Sequence, residues 1–270
     1  MSPGHFAALD NAAFPPFAPG TVWLVGAGPG APGLISLLGY YSLGQADVIV
    51  YDALVQDALL DLASPAAERV YAGKRGGKPS EKQADITQKL IAWAKAGRRV
   101  LRLKGGDPLM FGRGAEEALA LAAHGIPFRF VPGISSGLGG LAYAGIPVTH
   151  RDTNHAVIFL TGHDETGGIP AAVDWNAVAN AAPVLVMFMA VKHLRSIAEK
   201  LLAAGRSPDD RLAIVSNAAL PQQRVVETTL GNVGGLTAIE TPAIVVLGPV
   251  TMMRERLEWY TAELRENGIG

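Results

Sequence analysis

The chain has 270 residues, 49% of them hydrophobic and 17% charged, with a formal net charge of -1. That is enough apolar material for one large domain or two modest ones, and the near-neutral total leaves no footprint for nucleic acid or an anionic membrane outside a local basic cleft. Cysteine is absent, which excludes a disulfide framework, a zinc–thiolate site and a thiol nucleophile.

The first twenty residues, "MSPGHFAALDNAAFPPFAPG", have neither a basic start nor a continuous apolar run. They do not resemble a secretory signal and read as a flexible or loosely docked arm, residues 1–20. No segment reaches the roughly 18 uninterrupted apolar residues of a membrane span, so the expectation is a soluble cytoplasmic protein. Short runs rich in Val, Ile and Leu then alternate with helix-compatible stretches: "TVWLVG", "ADVIVYD", "RVYAG", "RRVLRLKG" and "IPFRFVPG". This pattern predicts an α/β domain over residues 21–148 with a mostly parallel sheet. Within it, "SEKQADITQKLIAWAKAG" places Ile86, Leu90 and Trp93 on one helical face, with Ser80 as N-cap and Gly97 as stop.

The pattern restarts after "AGIPVTHRDTN" with "HAVIFLTG", "APVLVMFMA", "RLAIVSN", "RVVETTLG" and "TPAIVVLGPV". A second α/β domain is expected over residues 149–270, its sheet mixed because "QQRVVETTLGNV" shows a strand and a turn with no long helix. Met187 and Met189 read by default as core residues. None of the six histidines forms a spaced ligand pair with acidic neighbours, so no metal site is expected.

Three loops carry chemistry. In "TVWLVGAGPGAPGLISL", Gly26, Gly28 and Ala31 satisfy the dinucleotide pattern directly after a strand, and Asp52 falls where a ribose-binding acid would lie. Pro29 stands against that reading, because it lacks the N–H that a pyrophosphate would use. In "RLKGGDPLMFGRGAEE", Arg102 and Lys104 give the strand end a cationic face and Gly105 and Gly106 allow close backbone approach. Arg113 and Glu116 share a face of the following helix, as a substrate group or as a plain surface ion pair. In "VPGISSGLGGLAYAGIPVTHR", Ser135 and Ser136 mark a helix start that binds a ligand or merely caps itself. The run "GKRGGKPSEK" reads by itself as a solvated loop.

Taken in order from about Val22 to Val250, "VGAGPG", "ADVIVYDALV", "GKRGG", "RLKGGDPLMFGRGAEE", "VPGISS", "AGIPVTHRD", "LTGH", "DW" and "TPAIVVLG" resemble the uroporphyrinogen-III C-methyltransferases of the tetrapyrrole methylase family. The resemblance implies two α/β domains with the active site in the cleft between them, in a homodimer. It implies S-adenosylmethionine-dependent methylation of uroporphyrinogen III at C2 and then C7, giving precorrin-2 by way of precorrin-1 for sirohaem, cobalamin or haem d1 synthesis. It places the methyl donor against Pro29, Gly105, Gly106, Asp107, Met110, Ser135, Ser136, Met189, Ala218 and Ala243. Asp52 and Lys74 match positions with acid/base roles, and Arg113, Glu116, Arg151 and Met189 match positions beside the tetrapyrrole. Uroporphyrinogen carries eight carboxylates, which suits arginine's bidentate recognition. The chain departs from the family at Ala31, Leu38, Ala190 and Ala218, and the Ala218 methyl is expected to crowd the donor. The competing readings are a later precorrin methylase, a non-catalytic tetrapyrrole-binding protein and a nicotinamide-dependent oxidoreductase built on "GAGPGA".

Overall fold

The computed structural model describes residues 14–73, 83–164 and 166–266. Its first half holds β1 (Val22–Gly26), β2 (Val48–Tyr51), β3 (Glu68–Tyr71), β4 (Val100–Lys104) and β5 (Phe128–Val131) in the order β3-β2-β4-β1-β5, with every pairing parallel. Parallel strands need crossovers, and these are α1 (Leu37–Gln45), the single turn α2 (Asp57–Leu60), α3 (Gln83–Lys95) and α4 (Gly114–Ala123). Helices lie on both faces, so the strands are apolar on both sides. Trp23, Val25, Ile49, Leu101 and Leu103 pack with Leu43 and Leu59. Val22, Leu24, Val48, Val50 and Val100 pack with Ile86, Leu90 and Leu121. Continuous rather than alternating hydrophobic runs are the sequence expression of that burial.

The helix predicted around Leu90 is present as α3, with Ile86 and Leu90 buried and Gly97 ending it at φ +77°. Ser80, its expected cap, lies outside the described residues. At the end of the arm, Phe17 is buried and stacks on Trp23 with ring centroids 4.4 Å apart.

The second sheet holds β6 (Val157–Thr161), β7 (Val184–Phe188), β8 (Arg211–Ser216), β9 (Arg224–Thr229) and β10 (Ala243–Leu247) in the order β6-β7-β10-β8-β9. Only β6 and β7 pair in parallel, so the sheet is mixed, as the short link before β9 requires. One face is covered by α6 (Trp175–Ala181) and α7 (Leu194–Ala203). The other face receives the segment that follows β5. This segment contains a π-helical turn, Ser136–Gly140, and the single turn α5 (Leu141–Tyr143). Leu141, Ala144 and Ile146 are buried there against Val184, Val186, Val215 and Val246. The short α8 (Arg254–Leu257) and α9 (Ala262–Glu266) finish the described chain. Among the described residues no helix is long and apolar enough to cross a membrane.

Candidate active site

Three strands of the first sheet end side by side, and their loops are welded by glycine. Gly28 and Gly106 exchange backbone hydrogen bonds, N–H to O at 3.2 Å and 2.8 Å. Gly26, Gly106 and Gly133 approach so closely that a Cβ on Gly26 would lie 2.6 Å from both Gly106 O and Gly133 N. Only residues without side chains allow three backbones to meet in this way. Asp107 completes the weld. One of its carboxylate oxygens accepts from Leu109 N–H at 2.8 Å and the other from Gly133 N–H at 3.0 Å. Pro29, Gly105, Gly106, Asp107, Ser135 and Ser136 are thereby gathered at one edge, the carboxyl ends of β1, β4 and β5, where open α/β sheets hold ligands. Ser135 is buried and caps the π-helical turn, its Oγ accepting from Gly137 N–H at 3.3 Å.

Residues of the second sheet close on this edge. Met110 packs into the second sheet's core, and the Phe111 and Phe188 rings lie 5.0 Å apart. Ala218 reaches the same place from the end of β8: a Cβ on Gly30 would lie 2.6 Å from Ala218 O, and one on Gly140 would lie 2.9 Å from Ala218 Cβ. The Ala218 methyl therefore fills the space left by Gly140. Ala243 pairs with Ser216 in the sheet register, two residues before Ala218.

Backbone strain marks the same region. Among the described residues, the non-glycine residues with positive φ are Phe111 (54°), Arg113 (60°), Met189 (53°), Asn217 (49°) and Ala219 (60°), all following β4, β7 or β8. Such conformations cost of order 1–3 kcal/mol each and persist where surrounding contacts over-determine them. Met189 is 42% exposed, so the default assignment to the core fails; its neighbour Met187 is fully buried, as expected. The side chains alternate along β7, but the left-handed turn after Phe188 takes Met189 out of the strand. Large exposed apolar residues lie on the loops of this edge and on the turn after β7: Leu54, Leu109, Phe111, Ile134 and Met189.

The charged candidates separate into groups. Asp52 caps its own turn, accepting from Leu54 N–H at 3.0 Å, and this turn leans on the Gly105 loop, since a Cβ on Gly105 would lie 2.6 Å from Leu54 Cβ. Lys74 lies outside the described residues; Gly73 before it packs against Ala53 N. Arg113 binds Glu116 with a two-pronged contact, Nε to Oε1 at 2.9 Å and Nη2 to Oε2 at 2.6 Å. The Arg113 guanidinium holds the Glu116 carboxyl below its usual range. Arg151 is exposed at the tip of a turn stapled by buried Asn154, whose Oδ1 accepts from His150 N–H at 3.0 Å.

Arg102 and Lys104 do not offer the cationic face that their alternation suggested. Both are buried and turned toward α3 and α4, where Arg102 Nε donates to Glu117 Oε1 at 3.1 Å and Lys104 Nζ to its two oxygens at 3.1 and 3.2 Å. Gln83 Nε2 is a third donor, adding a fourth hydrogen bond at 2.6 Å to Glu117 Oε1. Burial, and then the neighbouring Arg102, push the Lys104 ammonium below its ordinary value, against the pull of Glu117. Sequence reasoning missed Glu117 because nothing local distinguishes it from Glu116. It also missed the strained Phe111, Asn217 and Ala219, for which no local signal exists.

Residues 21–234 match the model of the Tetrapyrrole (Corrin/Porphyrin) Methylases. The chain is 58% identical over 254 residues to a uroporphyrinogen-III C-methyltransferase of Sinorhizobium sp, covering 93% of this chain and 91% of that protein. It is 45% identical over 249 residues to the siroheme synthase of Pseudomonas fluorescens (strain SBW25), covering 91% of this chain but only 53% of that longer protein. The structure of the Thermus thermophilus uroporphyrin-III C-methyl transferase complexed with S-adenyl homocysteine aligns with TM-score 0.76 and 41% identity, over 86% of this chain and 99% of that one. With its paired parallel and mixed sheets and its welded strand-end loops, the chain belongs to the tetrapyrrole methylase family.

Proposed function

We propose that the protein transfers two methyl groups from S-adenosylmethionine to uroporphyrinogen III, at C2 and then C7, giving precorrin-2 by way of precorrin-1. The observation that carries this reading is the 58% identity to the Sinorhizobium enzyme over 91% of its length. The geometry supports it independently. A loop edge made of glycine backbone, with buried Ser135 beside it, suits a small polar donor held by main-chain groups. Apolar Leu109, Phe111 and Met189 beside Arg113 suit a flat macrocycle fringed with carboxylates.

In this reading the cleft residues chiefly align. The electron-rich pyrrole carbon supplies the electron pair of the new C–C bond as the S–CH3 bond breaks, and the sulfonium leaves as a neutral thioether. Holding the carbon and the methyl in line lowers the barrier more than a strong base would. A proton must then leave the methylated pyrrole, and Asp52, in the turn packed on the Gly105 loop, is the carboxylate assigned to accept it, with Lys74 as its acid/base partner. Arg113, oriented by Glu116, and Arg151 take substrate carboxylates. Pro29, Gly105, Gly106, Asp107, Met110, Ser135, Ser136, Met189, Ala218 and Ala243 form the donor side, Asp107 acting through the loops it ties. The reading extends to a homodimer working in the cytoplasm.

Anaerobic incubation with uroporphyrinogen III and labelled S-adenosylmethionine, followed by mass spectrometry, tests this. Two added methyls are expected. Donor binding without transfer would favour a later precorrin as substrate, and no donor binding would remove the reading altogether.

A further inference from the structure

The chain leaves β6 beside the Met189 turn. Gly162 N–H donates to Phe188 O at 2.7 Å, and a side chain at Gly162 would collide with Ala190, so the loop begins against the residues flanking Met189. Further on, Asp164 organises a tight turn. Its Oδ1 accepts from Thr166 N–H at 2.9 Å and Thr166 Oγ1 at 2.6 Å, while Asp164 N–H reaches Gly168 O at 2.9 Å and Gly167 N–H reaches Asp164 O at 3.0 Å. The Gly167 carbonyl then receives two donors from the segment after Met189: His193 Nε2 at 2.8 Å and Lys192 Nζ at 3.2 Å. A carbonyl oxygen only accepts, so His193 carries its proton on Nε2. The same residue's backbone N–H donates to Ala190 O at 3.0 Å. His193 therefore holds the Met189 turn with its main chain and the Asp164 turn with its ring.

We propose that His193 is a positioning residue that latches the Asp164, Thr166 and Gly167 turn to the Met189 segment and so shapes the tetrapyrrole side of the cleft. The inference rests on the functional reading above for its kinetic consequence, and on the hydrogen bonds alone for its structural one. The Phe188 ring that precedes Met189 faces Phe111 across the sheets, so this wall stands opposite the strained loop that carries Arg113. Most of the donor side is built from other strand ends, at β1, β4, β5 and β8, with Met189 after β7 and Ala243 on β10 completing it. Release of the latch should therefore weaken substrate engagement more than donor binding, which Met189 shares with residues on other segments. His193 is the shorter-reaching donor, partly buried on a stiff ring; Lys192 is exposed and on a flexible stem, and forms the weaker half.

Three full-length proteins decide it: wild type, His193→Phe, which keeps the ring shape without a donor, and His193→Gln, whose amide can donate to the same carbonyl. Hydrogen exchange is measured on the ligand-free proteins, and KM for uroporphyrinogen III, kcat and S-adenosylhomocysteine affinity are measured on each. In His193→Phe, faster exchange at the Asp164 and Gly167 amides is expected, with KM raised about fivefold, the scale of one hydrogen bond. Donor-product affinity should fall by less than KM rises, within about twofold, since most donor-side residues lie on other segments, and His193→Gln should restore both exchange and KM. Unchanged exchange in His193→Phe overturns the latch, as does a glutamine variant no better than phenylalanine, or a loss of donor-product affinity equal to the loss in KM. If wild type transfers no methyl to uroporphyrinogen III, the functional reading fails while the exchange comparison still decides the latch.

Discussion

Glu116 and Glu117 are neighbours on α4 and belong to opposite regions of the molecule. Glu116 is 57% exposed and shares a two-pronged contact with half-exposed Arg113 at the rim of the cleft. Glu117 is fully buried and stands against Arg102 and Lys104, each only 4% exposed, beneath the loop that begins at Gly105. One residue of helical rotation, about 100°, separates a solvated pair from an internal one. The difference is one of consequence. A rim pair contributes little to stability and is available for recognition, whereas two buried cations around one carboxylate leave a large penalty if that carboxylate is removed. The inner cluster lies beneath the Gly105 loop; the outer pair is open to solvent.

The largest effect should come from breaking the inner region. Glu117→Ala strands two buried cations and is expected to cost about 3–5 kcal/mol of unfolding free energy in urea titration. A loss under about 1 kcal/mol, the range of exposed pairs, would show that the cluster is solvated and would erase the contrast with Glu116. Breaking the outer region should do the reverse. Arg113→Gly removes the rim pair but also relieves the strain of φ 60°, so stability should stay level or rise by up to about 1 kcal/mol. Methyl transfer in the same variant should fall about 10- to 100-fold in kcat/KM, the range for losing a bidentate charged contact. An Arg113→Gly enzyme with normal kinetics would leave the pair a surface ornament.

The smallest effect is in pH; stability rises with pH in both regions, but in different windows. Arg113 lowers the Glu116 carboxyl below its ordinary 4.5, so its stabilisation is present above that value and fades as pH falls through the folded-state value. Exposure keeps this contribution slight. Lys104 is lowered from 10.5 by burial, so the unfolded chain binds that proton more tightly than the folded one. Stability should therefore climb with pH from the folded-state value up to about 10.5. Chemical denaturation of Lys104→Met across the alkaline range should lack that climb, and a climb of unchanged size would assign it to another group.

Much of the scaffold was legible. Apolar runs in "TVWLVG" and "ADVIVYD" announced strands covered on both faces, and β1 and β2 are paired as central members of a parallel sheet. The period of α3 gave Ile86 and Leu90 their buried face, and the lack of a long helix after the "RVVETT" strand pointed to the mixed second sheet. Of the site, the loops at Gly105 and Ser135 could be picked out from residue chemistry and from their place after strands. The partners of those loops could not. Alternation put Arg102 and Lys104 on one face of β4 without revealing that α4 would bring a glutamate to that face. Met189 looked like a core methionine because its exposure depends on a turn that the local sequence does not announce.

By itself the sequence determined the alternation of strands and helices, the places where glycine permits close approach, and the order of motifs that carries the family. The tertiary structure alone decided that Asp107 ties two loops together, that Gly140 receives the Ala218 methyl, and that Glu117 meets Lys104 while Glu116 meets Arg113. The physical reason is the range of the interactions. Periodicity and turn chemistry act over a few residues and specify which way a side chain points. What stands opposite is supplied by another part of the chain and exists only once the sheets have packed.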